Sequence, residues 1–113
     1  MLPDDLAACR QAYDQLKRQI LDIGFTCVGT VLKRSGTCGT PTCRCHGDPP
    51  RLHGPYYQWT RKIHGKTVTV RLKPAAGALF AACAANRQAL QAILDQMEAL
   101  SMQAIKLQLQ QEP

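Results

Sequence analysis

The chain has 113 residues, 45% of them hydrophobic, enough for a single domain (1–113) with a modest core. Fourteen Lys and Arg against eight Asp and Glu leave a formal charge of +6. The longest apolar run, Ala75 to Ala85, is rich in alanine and far shorter than a bilayer span, so neither a transmembrane helix nor a membrane partner is expected.

The acidic start, Met1-Leu2-Pro3-Asp4-Asp5, lacks the apolar stretch of a secretory signal, and a reducing, cytoplasmic setting is expected. The first element is a helix over 4–23. Leu6, Cys9, Tyr13, Leu16, Ile20 and Ile23 recur at spacings of three and four, which makes one apolar stripe. Pro3 suits the start of this helix and Gly24 its stop. Cys9, Cys27 and Cys83 are isolated and read as small buried apolar residues.

A sheet module with a metal knuckle is expected over 25–73. Its first strand is placed at 25–34, where Val28, Val31 and Leu32 stand among threonines. Next comes Cys38-Gly39-Thr40-Pro41-Thr42-Cys43-Arg44-Cys45-His46, and then His53-Gly54-Pro55-Tyr56. Gly39 and Pro41 bend the backbone so that two thiolates turn toward one point. Zinc takes four soft or borderline ligands in a tetrahedron, and three thiolates with one imidazole complete it. One structural Zn2+ is therefore expected on Cys38, Cys43, Cys45 and His53. His46 competes for the fourth place, but it adjoins Cys45, and neighbouring side chains diverge. His53 follows a Pro-Pro loop that can carry it back over the site, and it leads directly into a strand. The competing readings are a disulfide framework and a redox pair. Gaps of four and one residues between the clustered cysteines contain no Cys-x-x-Cys.

Two further strands, 56–63 and 66–73, form a hairpin about His64-Gly65. A two-residue turn sets the register: Tyr57 opposite Leu72, Trp59 opposite Val70, Arg61 opposite Val68. Period-two alternation makes that a mostly apolar face. Tyr56, Gln58, Thr60 and Lys62 with Lys73, Arg71, Thr69 and Thr67 make the other, basic face.

Pro74 opens a long helix over 75–110. Leu90, Ile93, Met97, Leu100, Ala104 and Leu107 alternate spacings of three and four, which suits a helical hairpin or a coiled coil between chains. Leu94, Ile105 and Leu109 lie off that stripe and motivate a homodimer. The expected class is thus α+β: a small three-stranded antiparallel sheet with a zinc knuckle, flanked by an N-terminal helix and a long C-terminal helix packed antiparallel.

The charge is unevenly placed. Lys33, Arg34, Arg44, Arg51, Arg61, Lys62, Lys66, Arg71 and Lys73 share their segment with one acid, Asp48, for a local net of +8. The flanks are net −2. A basic middle between near-neutral ends marks a polyanion-binding surface; the plainer reading is a soluble Lys/Arg-rich face.

The run Gly29-Thr30-Val31, Cys38-Gly39-x-Pro41-x-Cys43-Arg44-Cys45, Gly47, His53-Gly54-Pro55-Tyr56-Tyr57, Gly65-Lys66-Thr67-Val68 and Pro74 resembles a family of small prokaryotic proteins. They are known only as a domain of unknown function and are associated with transposon and other mobile-element neighbourhoods. The resemblance covers roughly residues 29 to 90. Its members carry a small residue where this chain has His46, which favours His53 as the ligand. The alanine-rich start of the last helix departs from the charged helices of the family. The resemblance implies a zinc-bearing, nucleic-acid-handling accessory protein with a recombinase or transposase among its protein partners.

Two functions follow. In the first, the chain binds DNA or RNA through Lys33, Arg34, Arg44, Lys62, Lys66, Arg71 and Lys73, with Tyr56 and Gln58 touching bases or sugars. In the second, it is a protein-interaction adaptor whose heptad helices recruit a partner, and zinc is purely structural. Enzyme activity is not expected. Four ligands fill the zinc site, Asp48 is the only nearby carboxylate, and no His-Glu-x-x-His or phosphate-cradling loop is present.

Overall fold

The computed structural model describes residues 1–111, so the last two positions of the expected 1–113 domain lie outside the described residues. In chain order it has α1 (Leu6–Ile20), β1 (Thr30–Gly36), a 3-10 turn (Arg44–His46), β2 (His53–Ile63), β3 (Lys66–Leu72) and α2 (Pro74–Gln111). The chain divides into two compact units, Thr26–Ala85 and the remainder.

The helical unit holds α1 and the part of α2 from Asn86 onward. Asp5 caps α1 by accepting a hydrogen bond from Ala8 N at 2.8 Å, so the helix starts at Leu6 rather than at Asp4. It also stops earlier than expected. Leu21 N and Ile23 N turn back to Arg18 O and Ile20 O, and Gly24 lies beyond the end. Every member of the predicted stripe from Leu6 to Ile23 is buried or half-buried, and so is every member of the α2 stripe from Leu90 to Leu107. Leu16, Ile93 and Leu100 form the core, with Ala12, Tyr13, Ile20, Ile23 and Met97 around them. The two helices run antiparallel. Near the start of α1, Pro3 O accepts from Gln103 Nε2; past its end, Phe25 O accepts from Asn86 Nδ2.

The second unit is an antiparallel sheet in the order β1-β2-β3, with the first three turns of α2 packed against one side. The hairpin has the expected register, with Tyr57, Trp59 and Arg61 paired to Leu72, Val70 and Val68. Its turn residues His64 and Gly65 both have positive φ, 50° and 80°, the twist that a two-residue hairpin loop requires. On the helix-side face Trp59 meets Phe80 at 4.7 Å between ring centroids. Gly77 lies under Tyr57, where a Cβ would fall 2.2 Å from the ring. Only glycine permits that approach of helix to sheet.

The first strand begins at Thr30, five residues later than expected. The backbone of 25–29 finds other partners. Cys27 N donates to Cys83 O on α2, and Val28 O accepts from Trp59 Nε1 at 2.9 Å. Those bonds replace a strand ladder. At the other end β2 begins at His53, three residues earlier than expected. A bulge between Arg34 and Gly36 pairs Gly36 with His53.

Candidate functional site

The Gly36–His53 pairing builds the site. It holds the first residue of β2 beside the end of β1, two positions before Cys38. From there the chain turns at Thr40, where Cys43 N donates to Thr40 O, and enters the 3-10 turn at Cys43. This compact loop brings Cys38, Cys43 and Cys45 under His53.

The donor atoms of Cys38, Cys43, Cys45 and His53 all lie within 4.8 Å of one another, close enough to hold a metal ion. Cys38 Sγ is 3.6 Å from Cys45 Sγ, and Cys43 Sγ is 3.2 Å from His53 Nε2. Cys38 N donates to Cys45 Sγ at 3.3 Å, which stabilises negative charge on that sulfur. Cys45 is 1% exposed, at the floor of the cluster. His46 is not part of this cluster: its Nε2 meets Cys38 O at 2.7 Å. The backbone hydrogen bond at Thr40, ahead of the neighbouring donors, draws the Cys38 thiol down to about 6. Burial pushes the Cys45 thiol up.

Register separates the expected nucleic-acid contacts. Arg34, Tyr56, Gln58, Lys62 and Arg71 occupy the face of the sheet away from α2. There the Arg71 guanidinium lies 3.8 Å over the Tyr56 ring. Thr60 and Thr69 share a hydroxyl hydrogen bond across the hairpin. Alternation places Lys33, opposite Tyr57, on the helix-side face, and Lys66, opposite Ile63, follows the same parity. Arg44 belongs to the 3-10 turn, and Lys73 stands between β3 and α2. Leu32 is on the open face, 45% exposed.

Two features had weaker sequence signals. Arg61 lies on the helix-side face with its guanidinium 3.8 Å over Trp59, and its Nη1 is buried without a hydrogen-bond partner. Its i, i+2 relation to Trp59 was the clue. The second is a cavity of about 320 Å3 that joins the Cys/His cluster to the open face. Gly36, Thr37, Cys38, His53, Tyr56 and Arg71 line it. Nothing local in the sequence announces it, because its walls come from three separate segments.

Residues 6–79 match the model of the family described as a domain of unknown function (DUF6788). The chain belongs to this family. The matched DUF6788 region takes in α1, the whole sheet, the Cys/His cluster and the first turn of α2. It begins earlier and ends sooner than the resemblance read from the motifs alone. No curated protein and no solved structure matches the chain. Among the described residues, no helix is long and apolar enough to cross a membrane.

Proposed function

We propose that the chain is a cytoplasmic, zinc-stabilised nucleic-acid-binding protein that acts as an accessory of a mobile genetic element. One observation carries the binding reading. The segment from Lys33 to Lys73 has nine cations, yet none is ion-paired; the only salt bridge among the described residues joins Lys17 and Asp14. Of these, Arg34, Lys62 and Arg71 share the open sheet face, where cations without carboxylate partners are available to phosphates. The mobile-element setting and a recombinase or transposase partner rest on the Cys-Gly-x-Pro-x-Cys-x-Cys and His-Gly-Pro-Tyr motifs.

Zinc suits the cluster. Two sulfurs held tetrahedrally at about 2.3 Å from one ion are about 3.8 Å apart, close to the 3.6 Å between Cys38 and Cys45. Three thiolates and an imidazole are a donor set of structural zinc, and with all four in place no coordination position is left for a substrate. The reading is therefore binding rather than catalysis. The metal's chemistry here is to tie β1, the 3-10 turn and β2 together beneath the basic face.

Fluorescence anisotropy with labelled DNA and RNA tests the proposal. Binding at low salt should weaken linearly in log–log form as salt rises. Arg71→Ala should weaken it more than Arg87→Ala, because Arg87 is on α2, hydrogen-bonded to Gln91. No binding at low salt, or equal effects of both substitutions, would refute it.

The exposed stripe Met102, Ile105 and Leu109 on the last turns of α2 supports a second reading, an adaptor or homodimer. Complexes captured from host cells that survive nuclease treatment would favour that reading.

A further inference from the structure

We infer that the open sheet face takes an unpaired strand of DNA or RNA, with one base stacked at the Tyr56–Arg71 pair. This inference rests on the nucleic-acid reading and narrows it to single strands. A surface that holds only duplex phosphates needs spaced cations and little else. This face instead mixes cations with planar and apolar groups. Arg71 is stacked on Tyr56, Gln58 sits directly across from Arg71, and Leu32 is exposed on the far side of Gln58. A duplex keeps the faces of its bases inside the stack, out of reach of such a platform. An unpaired base offers its face to an aromatic ring or a guanidinium plane and its edge to an amide.

The surroundings strengthen the assignment. The cavity beside the pair, about 320 Å3, is walled by Gly36, Thr37, Cys38 and His53, so it gives a base somewhere to enter. Arg34, directly across from Tyr56, and Lys62, further along β2, flank the platform on the same face and can take the phosphates on either side. The only acid between Thr26 and Ala85 is Asp48, which lies with Arg44 and Arg51 at a different pocket.

Binding of labelled oligo-dT and oligo-U, each single-stranded and annealed to its complement, tests this at several salt concentrations with the metal-loaded protein. Single strands should bind more tightly than duplexes, and the dT and U arms tell DNA from RNA. Tyr56→Ala should lower single-strand affinity about five- to 150-fold, the range for one lost base–aromatic stack, and leave the salt slope unchanged. Lys62→Ala should lower that slope by about 0.7. Metal content and melting temperature of each variant show whether it folds. Arg71→Lys keeps the charge and the ring but loses the guanidinium plane; it should weaken single-strand binding while duplex binding holds. Equal affinity for both forms, or equal losses in both forms for Tyr56→Ala and Arg71→Lys, would overturn the inference while leaving nucleic-acid binding intact. Failure to bind either form at low salt would overturn the broader reading as well.

Discussion

His46 and His53 show how little of a residue's role is in its type. Both are histidines near Cys45, yet one meets a backbone carbonyl and the other points at a thiol. His53→Ala should abolish stable metal binding, since a ligand is lost. His46→Ala should keep one metal per chain and lower affinity by about tenfold, the scale of a lost orienting hydrogen bond. Elemental analysis and chelator competition distinguish them, and the reverse order would make His46 the ligand. The thiols also set a pH dependence. Ligands must be deprotonated to bind. Cys38, drawn down to about 6, is already thiolate at neutral pH and releases no proton on binding there. Cys45, pushed up by burial, releases one throughout. Metal affinity should therefore fall as pH drops, and fall more steeply below about 6, where Cys38 adds its own proton. Competition titrations between pH 5 and 8 measure the slope; a constant slope across 6 would contradict this.

Elements here were legible where the pattern is local. The two helices follow from spacings of three and four, and the hairpin follows from a two-residue turn that leaves no freedom of register. Sequence reading failed where a segment's hydrogen bonds go far along the chain. Residues 25–29 look like strand, but Cys27 bonds to α2 and Val28 receives the Trp59 indole. Gly77 is a similar case. Within a helix it reads as a cost of about 1 kcal/mol against alanine, but it is the seat of Tyr57. Gly77→Ala should destabilise the fold by about 1–3 kcal/mol in denaturant titration, because overpacking outweighs helix propensity. Gly39→Ala, with nothing within 4 Å of its added Cβ, should leave stability and metal content unchanged. If Gly77→Ala is as stable as the parent, the close packing of helix and sheet is wrong.

At the scale of the molecule, the two compact units have different sources of stability. The helical unit has an apolar core around Leu16, Ile93 and Leu100. In the sheet unit the fully buried residues include the small Cys45, Gly77 and Ala84, while the large Tyr57, Trp59 and Phe80 are only half-buried. A zinc ion held by the Cys/His cluster would add to this unit's stability, since structural zinc contributes about 10–16 kcal/mol of apparent binding energy in small fingers. Stripping the metal should remove hydrogen-exchange protection from β1, β2 and β3 while the α1–α2 pair keeps most of its own. Simultaneous loss in both units would show that they share a single cooperative transition.

The sequence by itself determined the helices, the hairpin register and the three clustered cysteines with His53 as the favoured fourth partner, because each depends on periodicity or spacing along a few turns of chain. The tertiary structure decided the rest. A bulge opposite His53 closed the cluster, and the pairing of β1 with β2 put Lys33 on the helix-side face and Arg34 on the open one beside Tyr56. The Tyr56–Arg71 stack spans two strands, so no window of sequence contains it. Such features belong to which face a side chain takes and what lies opposite, and only the folded sheet specifies both.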